Sequence, residues 1–101
     1  MSDLTLRALQ RHIRQNDYQP EALLRYLQKL MEEVGELARA MQEGTLYRDS
    51  GDIKGTIDEE LYDVLYYVAA IANLYDIDLE SAVRLKETVN ARKYGRPLHE
   101  F

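Results

Sequence analysis

The 101-residue sequence lacks cysteine and tryptophan and contains only two histidines, His12 and His99. Without cysteine there are no disulfides, thiolate zinc sites or cysteine nucleophiles, and two histidines are too few for a histidine-rich metal site in one chain. Only two prolines and five glycines interrupt the chain, which favours helix over most of its length. The longest uncharged apolar run extends from Val64 to Ala72, about half the length that a membrane span requires.

The overall charge of the sequence is moderately acidic. Eighteen acidic and thirteen basic residues give a net charge of -5, which disfavours nucleic-acid backbones and anionic membranes as partners. The same charge permits a phosphorylated ligand that arrives with a divalent cation. Because the first residues lack a basic segment followed by an apolar stretch, no secretory signal is indicated. We therefore expect one cytoplasmic domain over residues 1–101 that contacts neither nucleic acid nor membrane.

Hydrophobic periodicity predicts an all-α fold, a four-helix bundle-like arrangement that forms oligomers. The predicted helices span about 4–15, 20–43, 56–75 and 79–94, with a polar loop over 45–55 and a flexible tail over 95–101. The second half of the third helix is apolar on every side, so we expect it to be central or covered by another subunit. The apolar stripe of the second helix consists of Leu23, Leu27, Leu30, Val34, Leu37 and Met41.

Two acidic pairs stand beside the apolar stripes of the second and third helices. Glu33 and Glu36 are three residues apart, and Glu60 and Asp63 repeat this spacing on the third helix. Residues three or four apart lie on one helix face, so antiparallel packing would bring four carboxylates together across the seam. Unpaired, such a cluster would repel itself and cost several kcal/mol to desolvate. A positive charge is therefore expected among them.

Oxygen ligands without cysteine or histidine suit Mg²⁺, with Mn²⁺ as a substitute. Lys29 precedes Glu33 by four residues and offsets part of one charge only. A solvated acidic face is the simpler interpretation of any one acid, but two matched pairs favour a metal site. A di-iron bundle requires Glu-x-x-His on two helices, and neither His12 nor His99 follows a glutamate by three residues.

The motif Glu32-Glu33-Val34-Gly35-Glu36, followed by Glu60-Leu61-Tyr62-Asp63, resembles the EExxE…ExxD signature of the MazG-like, all-α nucleoside triphosphate pyrophosphohydrolases. The resemblance extends over about residues 23–94. It implies Mg²⁺-dependent hydrolysis of a nucleoside triphosphate between the α and β phosphates, which gives a nucleoside monophosphate and pyrophosphate and would serve nucleotide-pool house-cleaning.

The resemblance also implies roles for individual acids. Glu33, Glu36, Glu60 and Asp63 would be the metal ligands. Glu32 would be the catalytic residue that positions or deprotonates the attacking water.

Substrate binding is predicted for a second set of residues, mainly on the last helix. Lys86, Asn90 and Lys93 share one helix face and look like the Lys–Asn–basic pattern with which the family binds phosphates and sugar. Tyr94 could stack on a base, and Lys29 completes the set. The four tyrosines of the third predicted helix are expected instead in the core or an interface: Tyr62, Tyr66, Tyr67 and Tyr75.

Two other functions remain open at the level of sequence. Phosphoribosyl-ATP pyrophosphohydrolases share the acidic signature. A non-enzymatic, oligomeric helical adaptor would instead use the acids in salt bridges with a partner. The family resemblance implies a homodimer or a dimer of dimers, in which the last helix of one subunit completes the site of its neighbour.

Overall fold

A computed structural model describes residues 3–101 of the protein. Five α-helices and one 3₁₀ turn make up the described chain, and no strand occurs from residue 3 onwards, so the predicted all-α fold is confirmed. The elements in chain order are α1 (Leu6–Asn16), the 3₁₀ turn (Pro20–Ala22), α2 (Leu23–Glu43), α3 (Tyr47–Ser50), α4 (Ile57–Leu74) and α5 (Leu79–Tyr94).

The helix ends follow local chemistry that is readable in the sequence. The side chain of Thr5 accepts a hydrogen bond from the Ala8 N–H and begins α1. Gly44 ends α2 in the left-handed conformation (φ 72°), which glycine adopts without strain. The predicted start at Pro20 is a separate 3₁₀ turn rather than the first turn of α2, and the predicted loop contains the one-turn helix α3.

Thr56 caps the N-terminus of α4. The Thr56 hydroxyl accepts a hydrogen bond from the Glu59 N–H at 3.1 Å. The Glu59 carboxylate reaches back to the N–H of Gly55 at 3.0 Å, one residue earlier than a standard capping box, because the Thr56 N–H already donates to the carbonyl of Ile53. These contacts fix the first turn of α4, which carries Glu60.

An antiparallel pair of helices, α2 and α4, forms the centre of the fold. The direction follows from the two ends of the pair: Leu24 lies with Tyr75 at one end, and Ala40 lies with Glu60 at the other. Helix α1 packs across α4, and α5 packs against α1. The core is small and consists of Leu9, Ile13, Tyr26, Ala69 and Ala70.

One apolar face of the α2–α4 pair remains open to solvent in the single chain. Met31 and Val34 of α2 are 66% and 49% exposed, and Leu61 of α4 is 54% exposed. The Cα radius of gyration is 15.9 Å, larger than the roughly 13 Å expected of a compact domain of this length. The predicted stripe of α2 is therefore only partly buried, since Leu30 and Leu37 are partly buried while Leu27 and Val34 face outward.

The carboxyl-terminal segment 95–101, which we expect to be flexible, lies against α5 in the structure. Arg84 donates a hydrogen bond to the carbonyl oxygen of Phe101 at 2.7 Å. The ring of His99 stacks on that of Phe101 with centroids 4.4 Å apart. Within residues 3–101, no helix combines the length and apolar character needed to cross a membrane.

Candidate metal centre and active site

Three carboxylates meet in the seam between α2 and α4. Glu33, Glu60 and Asp63 each offer one oxygen atom, and these atoms all lie within 4.8 Å of one another. Glu33 continues the buried face of α2 because it lies seven residues from both Tyr26 and Ala40, which are each 4% exposed. Antiparallel packing places this face opposite the first two turns of α4. Three of the four acids predicted to converge between the two helices therefore meet there.

The electrostatics of this cluster are unfavourable without a cation. Glu60 is 9% exposed, and its pKa is raised to about 7, chiefly by burial and then by the charges of Asp63 and Glu33. Burial also raises the pKa of Asp63, with further contributions from Glu33 and Glu59. Over the described residues, no lysine or arginine forms a salt bridge with any of the three cluster acids.

One oxygen of the cluster is a buried acceptor without a partner in the described chain. The Oε2 atom of Glu60 is buried and has no hydrogen-bond partner among residues 3–101. Orphaned buried acceptors are rare and costly. Three carboxylates at mutual ligand distance, one with a free buried oxygen, fit a hard divalent cation that prefers oxygen ligands. The residues present are thus compatible with the metal centre that the sequence predicts.

The fourth predicted ligand, Glu36, lies at the edge of this site rather than inside the cluster. Glu36 is exposed and lines, together with Glu60, an open cleft of about 180 Å³. Arg39 and Glu43 lie on the same cleft. Of the three cluster acids, Glu60 lines this cleft, which opens toward the C-terminal end of α2.

The predicted catalytic residue Glu32 and the predicted substrate residue Lys29 form an ion pair on the surface of α2. The Nζ atom of Lys29 is 3.3 Å from Glu32 Oε2, and the two side chains are 49% and 62% exposed. An exposed ion pair of this kind contributes little to stability. Lys29 therefore pairs with Glu32 rather than with Glu33, the partner that the i+4 spacing suggested.

Tyr67 lies beside the acidic cluster, although the sequence predicts it only as a core or interface residue. Its pKa is raised, chiefly by burial, while the positive charge of Lys29 opposes this and the charges of Glu33 and Asp63 add to it. Its ring packs edge-to-face on Tyr66 with centroids 5.0 Å apart. The sequence signal for this placement is the spacing of four residues from Asp63, which puts both side chains on one helix face.

The predicted donors on α5 do not meet the acidic cluster within one chain. Helix α5 packs against α1, and no hydrogen bond or salt bridge of the described chain joins it to Glu33, Glu60 or Asp63. The amide of Asn90 donates to Glu87 at 3.3 Å. The remaining predicted donors are surface residues: Lys86 and Lys93 are exposed, and Lys93 lies 5.3 Å from the ring centre of Tyr94, which is 59% exposed.

Comparisons with known proteins agree with this architecture. The family model of the MazG nucleotide pyrophosphohydrolase domain matches residues 21–94. The crystal structure of amino-terminally tagged iMazG from Vibrio DAT 722 is 46% identical, with 92% of this chain and 100% of that chain covered and a TM-score of 0.82. The carboxyl-terminally tagged form is 44% identical, covers 86% of this chain and 98% of that chain, and has a TM-score of 0.80. No curated protein matches the chain. The chain therefore belongs to the MazG nucleotide pyrophosphohydrolase family, and it is a hydrolase.

Proposed function

We propose that this protein is a Mg²⁺-dependent nucleoside triphosphate pyrophosphohydrolase that releases pyrophosphate and leaves a nucleoside monophosphate. It would act on canonical or modified ribo- or deoxyribonucleotides of the cytoplasmic pool. The observation that supports this most directly is the group of Glu33, Glu60 and Asp63, whose ligand oxygens lie within 4.8 Å of one another without a cationic side chain. Membership of the MazG family supports the same reaction.

In this proposal Glu33, Glu60 and Asp63 would hold the cation, and Glu36 would reach it as a further ligand from the cleft. When bound, Mg²⁺ neutralises charge on the phosphate oxygens and lowers the pKa of water. The acids themselves give the protein no means of binding a polyphosphate, because like charges repel. The chain's own contribution is to hold the carboxylates close together beside an open cleft, which Glu36 and Glu60 line and which the substrate would enter.

The hydrolytic step needs no protein nucleophile. A water oxygen attacks the α-phosphorus, the bond to the bridging oxygen of the β-phosphate breaks, and pyrophosphate leaves with that bond's electron pair. The proton of the attacking water passes to a carboxylate, for which we propose Glu32. Glu32 stays within reach of solvent and is held by Lys29 at 3.3 Å, which suits a residue that orients water at the mouth of a site.

Substrate binding in this proposal requires a second copy of the chain. The donors Lys86, Asn90 and Lys93 lie on α5, away from the acids of their own chain. The exposed apolar face of α2 and α4 offers a surface on which another subunit would pack. We therefore propose a homodimer or dimer of dimers in which α5 of one subunit presents these donors, with Tyr94 against the base, to the acids of the next.

A nucleotide panel with Mg²⁺ or Mn²⁺, assayed for pyrophosphate and for orthophosphate, tests the activity. We expect pyrophosphate alone, at least one reactive nucleoside triphosphate, and no turnover after chelation of the metal. Phosphoribosyl-ATP belongs in the panel, because preference for it would assign the related histidine-pathway reaction instead. Orthophosphate as the product would contradict the proposed bond cleavage. If neither product forms, and if Mg²⁺ with a non-hydrolysable nucleotide causes no shift of the melting temperature, the results would favour the non-enzymatic helical adaptor.

Light scattering with a matched variant tests the assembly. We expect the wild-type protein to be at least a dimer at micromolar concentration. Met31→Glu, which places a charge on the exposed apolar face, should shift it toward monomer and lower turnover. Glu100→Gln changes an exposed charge on the tail and should leave the assembly unchanged. A monomeric wild-type protein with full turnover would contradict the shared site.

A further inference from the structure

A carboxylate that does not belong to the acidic cluster also links α2 and α4. Asp17, in the segment after α1, is partly buried and accepts hydrogen bonds from two phenols. The Tyr26 hydroxyl of α2 donates to its Oδ1 atom at 2.7 Å, and the Tyr66 hydroxyl of α4 donates to its Oδ2 atom at 2.7 Å. Both carboxylate oxygens are thus satisfied, one by each helix of the pair that carries the cluster.

The linkage lies close to the candidate metal centre along both helices. Tyr26 precedes Glu33 by seven residues, which is two turns along the same face of α2. Tyr66 follows Asp63 by three residues, or one turn along α4. Asp17 therefore connects the two helices just beyond the point where Glu33 and Asp63 face each other.

Asp17 is itself held firmly, so it can resist movement of either helix. Its N–H donates to the carbonyl of Ile13 at 2.7 Å, and the Ile13 side chain is fully buried at 0% exposure. The Tyr26 hydroxyl also accepts a hydrogen bond from the Gln19 N–H at 3.0 Å. Burial and the Asp17 carboxylate raise the pKa of Tyr26 to about 12 and also raise that of Tyr66, so both phenols remain donors at any physiological pH.

The cluster supplies the force against which such a linkage would act. Without a cation, Glu33, Glu60 and Asp63 repel one another and favour separation of α2 from α4. Hydrogen bonds to a carboxylate are stronger than neutral ones, and Tyr26 is only 4% exposed, so water does not readily replace it. Two such bonds on one carboxylate oppose the separation directly.

We propose that Asp17 is a positioning residue for the metal centre, whose two phenol hydrogen bonds keep α2 and α4 at the spacing at which Glu33 and Asp63 bind one cation. The inference rests on the proposed metal-dependent function and adds a residue that touches neither metal nor substrate. It predicts that loss of the linkage weakens metal binding while the chemistry at saturating metal persists.

Tyr66→Phe removes one hydroxyl and little else, and Asp17→Asn converts one acceptor oxygen into a donor amide. Mn²⁺ binding to the nucleotide-free protein, measured by electron paramagnetic resonance, should weaken about tenfold in either variant, as is typical when a group that supports a metal ligand is removed. The Mg²⁺ concentration for half-maximal turnover should rise similarly, with kcat at saturating Mg²⁺ within about twofold of wild type. Tyr75→Phe is the matched control, since Tyr75 follows the same helix, is 58% exposed, and makes no hydroxyl hydrogen bond in the described chain.

Several results would overturn the inference. Unchanged Mn²⁺ affinity in Tyr66→Phe would show that the linkage does not position the ligands. A parallel fall of kcat at every Mg²⁺ concentration, with loss of helical content, would show a merely structural role. If Tyr66→Phe fails to fold, Tyr26→Phe provides the same measurement from the α2 side. A wild-type protein that binds no Mn²⁺ and releases no pyrophosphate would instead refute the proposed function.

Discussion

The substitution Glu60→Gln tests the electrostatics of the cluster through stability. The pKa of Glu60 rises from its ordinary 4.5 to about 7 in the folded chain. The carboxyl therefore binds its proton more tightly in the folded state than in the unfolded state. By linkage, the free energy of unfolding of the metal-free protein falls as the pH rises from about 4.5 to 7, and it stays reduced above that window.

The full difference in the pKa of Glu60 corresponds to about 3 kcal/mol of unfolding free energy. This is an upper value, because part of the shift comes from repulsion by Asp63 and Glu33. Glutamine keeps the size of the side chain and removes the charge. In the presence of a chelator we expect Glu60→Gln to be more stable than wild type at pH 8, by about 1–3 kcal/mol, and to differ little at pH 5. Turnover should be abolished, because a cluster acid is lost.

Urea denaturation at pH 5 and pH 8, with and without Mg²⁺, measures the effect. Mg²⁺ should stabilise the wild-type protein by ligand linkage and have little effect on Glu60→Gln. The control is Glu100→Gln, which removes an exposed acid of the tail and should leave both pH profiles unchanged. Equal stability of wild type and Glu60→Gln at pH 8 without metal would refute the argument that the cluster is repulsive.

Three further predictions follow from the site and the core. Asp63→Asn should abolish turnover while circular dichroism shows an intact helical fold; wild-type turnover would remove Asp63 from the site. Glu59→Gln should lower stability by at most about 1 kcal/mol in thermal denaturation and keep turnover, because Glu59 acts on the N-terminus of α4; a loss as large as that of Asp63→Asn would contradict this role. Gln10→Ala should destabilise the protein by about 2 kcal/mol in urea, since its buried amide group bonds Ile77 and Leu79 at 2.8 and 3.0 Å; an unchanged midpoint would show that these bonds contribute nothing.

The sequence predicts the helices well because their start and end signals are local. The N-cap at Thr56 and the left-handed Gly44 need only neighbouring residues to form. Glu33 and Glu60 are also predictable as a facing pair, because successive amphipathic helices of a bundle pack antiparallel.

The sequence does not show which apolar residues of α2 face inward. Leu27 and Met41 belong to the predicted stripe and yet are 47% and 62% exposed. The residues of α2 that are buried, Tyr26 and Ala40, have less hydrophobic side chains than the leucines and methionine of the predicted stripe. The reason is that α2 has two apolar faces, one against α4 and one toward solvent, and periodicity averages them into a single broad stripe.

The linkage through Asp17 is equally invisible in the sequence. Tyr66 lies 49 residues from Asp17 along the chain, so no local pattern joins them. An aspartate after a helix is ordinarily a turn residue, and tyrosines in an apolar helix are ordinarily core residues. Only the packing of α1 across α4 brings these groups together.

The two-sided character of α2 has a consequence for the newly made protein. A folded single chain exposes an apolar surface on α2, where Met31 is 66% and Val34 49% exposed. An exposed apolar surface of this kind promotes association with other apolar surfaces. The charged residues of α2, together with the net charge of -5, oppose association of these single chains by electrostatic repulsion. Before the proposed assembly covers this surface, the newly made protein is most vulnerable to aggregation.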